Sequence, residues 1–173
     1  MPAYHSQFND ATECRVLGNM ALLPIKTKIR GPAPPALADQ KDIVDESLDL
    51  FRANCLFRNF EIKGNADRVL IYLILFISDC LARLAKSPPP SQKEAVKILS
   101  TRAIDHFALP GEPTFPLNAL YATPANKGDT GSFTSSIYVT TSTRTGLKIG
   151  RQGVSGWETE QVVDVLSEKK IYE

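Results

Sequence analysis

Asn65-Ala-Asp-Arg-Val-Leu-Ile-Tyr-Leu-Ile-Leu-Phe-Ile-Ser-Asp-Cys-Leu-Ala-Arg-Leu-Ala-Lys86 is the stretch on which the fold turns. Its middle, Val69 to Ile77, is apolar on every side, and a helix of that kind must be surrounded by other elements. Nine residues rise only about 14 Å as a helix, half of what a bilayer needs, so the run reads as a core element and not an anchor. Asn65 is placed to cap the start, and Pro88-Pro-Pro90 stops the far end. Asp67, Arg68, Asp79, Arg83 and Lys86 are expected to face outward.

Two further helices flank it. Asp42 is a natural N-cap, and Asp45 and Glu46 suit the positive helix end. Val44, Leu48, Phe51 and Cys55 then recur at helical spacing, with Leu56 and Phe60 extending the face as far as a stop at Gly64. Ser91-Gln-Lys-Glu94 is a capping box, and Ala95, Val96, Leu99 and Ala103 follow as the inward face of a third helix ending by Phe107. These patterns predict an all-α fold: one central helix with others around it.

The segments between are proline-rich. Residues 1–41 read as an extended arm, broken by Gly31-Pro-Ala-Pro-Pro35, whose scattered Leu17, Met20, Leu22, Leu23 and Ile25 need a surface to lie on. Pro110, Pro113, Pro116 and Pro124 punctuate a second stretch, each fixing φ and removing a donor. That loop is nevertheless apolar, through Leu109, Phe115, Leu117, Leu120 and Tyr121. It either covers the chain's own core or presents Phe115, Leu117 and Tyr121 to a partner. Beyond residue 127 the prolines cease, Ser and Thr dominate, Ser136-Ile-Tyr-Val-Thr-Thr-Ser142 has strand propensity, and the residues around Trp157 suit a short helix.

Composition excludes several classes. The 173 residues suffice for one domain with a core, and 43 % hydrophobic residues argue against disorder. A net charge of +1 suggests neither nucleic acid nor an anionic membrane as partner. Cys14, Cys55 and Cys80 form no CxxC pair and follow no secretory signal, so they read as reduced cytosolic thiols. His5 and His106 have no Cys/His spacing for zinc. Ser167-Glu-Lys-Lys170 lacks the supporting motifs of a Ser/Lys hydrolase. Gly128-Asp-Thr-Gly131 lacks the second Asp-Thr-Gly that a shared-proton carboxylate pair requires. With no nucleophile, base and orienting group to assemble, a hydrolase finds no support. No phosphate-binding loop is present, and no cofactor is expected.

Lys26, Lys28 and Arg30 alternate with Thr27 and Ile29, so an extended backbone puts the three bases on one face. They form either a solvated edge or a contact for an acidic partner surface, which would act chiefly on association rate.

Met1-Pro-Ala-Tyr-His-Ser6, Gly18-Asn-Met-Ala-Leu-Leu-Pro24, Gly31-Pro-Ala33, Asp42-Ile-Val-Asp-Glu46, Ala66-Asp-Arg68, Pro110-Gly-Glu-Pro113, Phe115-Pro-Leu-Asn-Ala119 and Pro124-Ala-Asn-Lys127 together resemble subunit 3, the p21 subunit, of the actin-related protein 2/3 complex. The blocks cover residues 1–127, a family-like helical domain that begins with the 1–41 arm. The resemblance implies a small, mainly helical, non-catalytic subunit in the cytoplasm and actin cytoskeleton. Its partners would be the other subunits, chiefly the larger actin-related protein, and the actin filament, and nucleotide would belong to those partners. Tyr4, His5, Lys26, Lys28, Arg30, Phe115, Leu117 and Tyr121 are the resulting interface candidates, and His5 suits packing or hydrogen bonding better than catalysis. The other protein-binding reading is a free-standing cytosolic helical adaptor. Residues 128–173 depart from the family pattern as a divergent, partly irregular segment. Only Arg144-Thr-Gly-Leu-Lys148 and Ser155-Gly-Trp157 echo it, and a divergent end or a shifted reading frame accounts for the change.

Overall fold

The computed structural model describes residues 4–10, 14–28, 31–55, 60–85 and 90–152. They form a short 3₁₀ turn (Gln7–Asp10), a two-stranded antiparallel hairpin (β1, Val16–Leu17; β2, Met20–Ala21) and four helices. The helices are α1 (Ile43–Asn54), α2 (Asn65–Leu84), α3 (Gln92–Ile104) and α4 (Lys127–Gln152). The fold is thus mostly helical with one small sheet, which corrects the all-α expectation. The hairpin exists because Gly18 takes φ 63° in a two-residue turn. A Cβ there would meet the Ala122 carbonyl oxygen at 2.5 Å, so the position also needs glycine for close approach.

α2 packs against the other three helices and β2. Its Val69, Leu70, Leu73, Phe76, Ile77, Leu81 and Leu84 are buried, as its all-round apolarity requires. Asp67, expected outside, is instead 0 % exposed. The cap differs too: Gly64, not Asn65, is the N-cap and supplies no side-chain bond. Asn9 supplies it from the N-terminal segment, its Oδ1 accepting the Asp67 N–H at 3.2 Å.

α1 starts as expected. The Asp42 carboxylate accepts the Asp45 N–H at 2.9 Å, with the reciprocal half of the box also formed. Ile43, Val44, Leu48 and Phe51 face the core. The helix ends at Asn54, and Phe60 lies outside it. α3 opens with the Ser91–Glu94 box and buries Ala95, Leu99 and Ala103. Val96 is 44 % exposed, contrary to expectation, because the buried face takes Arg102 in its place. The Arg102 guanidinium pairs with Asp79 and lies over the rings of Phe76 and Phe107, 5.6 and 5.0 Å from their centroids. None of the described helices is long and apolar enough to cross a membrane.

The arm's apolar residues enter the core: Leu17, Met20, Leu22, Leu23 and Ile25 are at most 5 % exposed. Past Ile25 the chain returns on itself, with Ile25 N–H donating to the Pro34 carbonyl at 3.1 Å and Ala36 N–H to the Ile25 carbonyl at 3.2 Å.

The strand propensity of Ser136–Ser142 is overruled, since that segment lies inside α4. Phe133, Ile137 and Tyr138 fall on one helical face and are buried, and a strand would scatter them across two. Hydroxyls bond back along the helix, Thr134 Oγ1 to the Thr130 carbonyl at 2.9 Å and Thr143 Oγ1 to that of Val139 at 2.8 Å. The expected helix around Trp157 lies outside the described residues.

Two buried hydroxyls of α4, on Thr141 and Thr145, find no hydrogen-bond partner among the described residues. An unsatisfied buried hydroxyl costs about 1–3 kcal/mol. Thr141→Val and Thr145→Val keep the shape and remove that cost. Each is expected to stabilise the chain by about 1 kcal/mol, a rise of roughly 2–4 °C in Tm by calorimetry. A fall in Tm for both would show that the hydroxyls are bonded.

Candidate functional site

The candidate residues divide among three environments. The first is built on two buried carboxylates. Asp67 Oδ1 accepts Ser6 N–H at 2.8 Å and Asn9 Nδ2 at 2.8 Å. Its Oδ2 accepts His5 Nδ1 at 2.8 Å and Lys63 N–H at 3.0 Å. Glu46, 7 % exposed, accepts the Ser6 hydroxyl at 2.6 Å and Gln7 N–H at 2.8 Å. Asn54 takes Tyr4 N–H at 3.0 Å and returns a bond to the Tyr4 carbonyl at 2.9 Å. Segment 4–9 is thereby strapped across α1 and the start of α2. His5 is a structural donor, edge-on to Phe60 at 5.2 Å. Tyr4 stays 51 % exposed and projects its ring from the strap.

Burial alone would raise the Asp67 pKa, but the bonds from Ser6, Lys63, His5 and Asn9 outweigh it and hold the carboxyl below its ordinary value. Such a group stabilises the fold fully above its unfolded pKa of about 3.9 and loses that contribution as pH falls through the folded value.

The second environment is the basic edge. Lys26 pairs with Asp45 at 2.7 Å, and its N–H donates to Asp42 at 2.7 Å. Arg144 of α4 arrives on the same carboxylates, 2.5 Å from Asp42 and 2.9 Å from Asp45, and donates to the Lys26 carbonyl at 2.8 Å. Burial would raise the Asp42 pKa, yet Arg144 and the N–H groups of Lys26 and Asp45 bring it below the ordinary range. Lys26 is therefore engaged within the chain, Lys28 is exposed, and Arg30 lies outside the described residues.

The third is the proline-rich loop. Phe115 and Tyr121 are 3 % and 5 % exposed and belong to the chain's own core. Their rings meet edge to face at 5.1 Å, and the Tyr121 hydroxyl donates to the Arg68 carbonyl at 2.6 Å. Leu117 is half-buried. A cluster of Tyr72, Phe76, Phe107 and Tyr138 continues inward, with Phe76 and Tyr138 stacked at 4.6 Å and the Tyr72 and Tyr138 hydroxyls bonded together. Leu120, 46 % exposed, is the large apolar side chain that this loop offers outward. Its carbonyl is gripped by Arg68 Nε and Asn19 Nδ2, both at 3.1 Å. Gly111, at φ 93°, donates to Asn118 Oδ1 at 2.7 Å.

The structure thus brings Tyr4 and His5 together on one strap and separates them from the loop. It adds Glu46, Asn54, Asp67, Asn19 and Arg144, which sequence reasoning passed over. Ile43, Glu46, Leu50 and Asn54 follow helical spacing, so the inward face of α1 was readable as carrying Glu46 and Asn54. Asn19 and Arg144 stood in blocks that resemble the family, but nothing in their local sequence assigned them a contact. Among the described residues no group of three or more His, Cys, Asp or Glu is placed to hold a metal ion.

Asp67→Asn removes the charge that collects these donors and is expected to cost about 3–5 kcal/mol near pH 7. The gap to wild type narrows below about pH 4, where the wild-type carboxylate takes up a proton first in the unfolded state and, at lower pH, in the folded one. Denaturant titrations at several pH values check it, and a pH-independent gap would contradict the assignment. Phe115→Ala is expected to cost about 3–5 kcal/mol in the same assay. An unchanged Tm would place that ring outside the core.

The family described as P21-Arc, ARP2/3 complex ARPC3 (21 kDa) subunit, matches residues 1–148. The chain is 60 % identical over 125 residues to actin-related protein 2/3 complex subunit 3 of Saccharomyces cerevisiae, covering 72 % of this chain and 68 % of the relative. It is 54 % identical over 129 residues to subunit 3 of Schizosaccharomyces pombe, covering 75 % and 72 %. The subunit 3 of Arabidopsis thaliana is 37 % identical over 130 residues, covering 75 % and 74 %. The matched region contains the strap, the hairpin, the proline-rich loop and most of α4, and on that extent the chain belongs to the ARPC3 (p21-Arc) family of actin-related protein 2/3 complex subunits.

Proposed function

We infer that this chain is a non-catalytic structural subunit of the actin-related protein 2/3 complex, supporting actin nucleation and branched filament assembly. The family match over residues 1–148 carries the reading. Its mechanism is geometric. A mostly helical body, stiffened by prolines and pinned by buried carboxylates, holds an actin-related partner in the orientation from which a daughter filament grows. A pre-stiffened surface loses little conformational entropy on docking. The larger actin-related protein and the actin filament are the proposed contacts, in the cytoplasm and actin-rich structures.

Within this reading, the helical domain expected over residues 1–127, with 1–41 as its arm, extends through the family-matched part of α4 to residue 148, and the divergent segment narrows to residues 149–173. Tyr4 and Leu120 are the large exposed apolar groups of the strap and the loop, and Lys28 is the exposed base among the described residues of the 26–30 edge. They replace Phe115 and Tyr121 as the proposed contact groups, because those two rings lie within the chain's own core.

Adding the purified chain to the complex reconstituted without its subunit 3 tests the function. The chain is expected to co-migrate with the complex and restore branching. Failure to join would favour the free-standing adaptor. Replacing Lys28 and Arg30 together with Ala, with the internally paired Lys26 kept, is expected to slow association and flatten its salt dependence, since rim charge acts mainly on the encounter rate. Unchanged association rates at low and high salt would remove the edge from the interface.

A further inference from the structure

The outward face of α3 combines features that are each unfavourable for the chain alone. Ile104 is 82 % exposed and Val96 44 %, about 12 Å apart along the helix axis and on the same side. Between and beside them stand Lys93 and Lys97, both exposed and one helical turn apart, so the two charges repel. Lys93 also sits in the first turn, against the positive end of the helix dipole. Neither lysine has an ion-pair partner among the described residues. The acids nearest in sequence are engaged elsewhere: the Glu94 carboxylate accepts the Ser91 N–H and hydroxyl at 2.8 and 2.6 Å, and Asp105 pairs with Arg83 at 3.4 Å.

The polar groups on this face are turned inward. The Ser100 hydroxyl donates to the Val96 carbonyl at 2.8 Å, and the Thr101 hydroxyl to the Lys97 carbonyl at 3.1 Å. What remains is a strip of apolar carbon carrying two positive charges that no described residue compensates. Local rules broken together on one face, with no gain among the described residues, mark a surface shaped for something outside them.

We propose that the outward face of α3 (Lys93, Val96, Lys97, Ser100 and Ile104) docks onto an acidic, shallowly apolar surface of another subunit in the assembly. This rests on the subunit reading. A carboxylate-bearing partner would relieve the Lys93–Lys97 repulsion, and a shallow apolar hollow would take Ile104 out of water. The balance of two large apolar groups and two charges suits a lasting subunit contact better than a purely electrostatic encounter.

Lysine acetylation followed by mass spectrometry reads the contact directly, in the free chain, in the reconstituted complex and in the complex with actin filaments. Labelling of Lys93 and Lys97 is expected to fall at least about fivefold on joining the complex. In parallel, the double variant Lys93→Glu/Lys97→Glu and the single variant Ile104→Ser are each expected to raise the Kd for the remaining subunits about tenfold or more. Their Tm should stay at or above the wild-type value, because glutamate suits the helix start and Ile104 is already exposed. Full incorporation with both lysines labelled as in the free chain, and with unaltered Kd for both variants, overturns the proposal while leaving the subunit reading intact. Protection that appears only with filaments overturns it too, by making the filament the occupant. A chain that never joins the complex defeats both.

Discussion

The carboxylate of Asp67, with no exposed surface of its own, is the constraint on which the N-terminal half depends. A charge removed from water must be matched by donors, and here the donors come from His5, Ser6, Asn9 and Lys63. Gathering them fixes the path of the strap. The same contact starts α2: Gly64 has no side chain to cap the helix, so Asn9 caps it from across the chain. A single buried carboxylate thereby ties the first described residues to the central helix. Loss of the strap would expose both Asp67 and the first turn of α2.

A second set of charges closes the opposite end of sequence space. Asp42 begins α1 by capping it and also receives Lys26 N–H and the Arg144 guanidinium. Three segments more than a hundred residues apart at the extremes meet on one side chain. Apart from these charges, the aromatic cluster has its own polar contact, where Tyr72 and Tyr138 satisfy each other's hydroxyls inside the apolar core. Burial pushes the Tyr138 hydroxyl up to about 12 and that of Tyr72 higher still, so both remain neutral throughout the physiological range. In an assembly that must hold a fixed geometry, hubs of this kind confer rigidity without any catalytic chemistry.

The starts of α1 and α3 and the apolar central helix were legible in the letters. The Asp42 and Ser91 boxes need only residues three apart, and the apolar run of α2 needs only its own neighbours. Misreadings arose where a distant residue competed. Asp67 looked like a surface acid at a helix start, and the strap buried it. Val96 looked like a core residue, and Arg102 took the inward face by pairing with Asp79. Ser136–Ser142 looked like a strand, and the helical alignment of Phe133, Ile137 and Tyr138 prevailed. Phe115 and Tyr121 stood as both core and interface groups in the sequence, which holds no measure of exposure.

Sequence by itself determined a mainly helical body around one apolar helix, and the family through blocks of residues spread along the chain, because periodicity and local order survive without coordinates. Tertiary structure alone decided which charges are buried, that Asn9 caps a helix fifty-five positions away, and that Ile104 and two lysines are left facing outward. Those outcomes depend on which segments meet in space, and the donors, acceptors and apolar faces that meet are far apart along the chain.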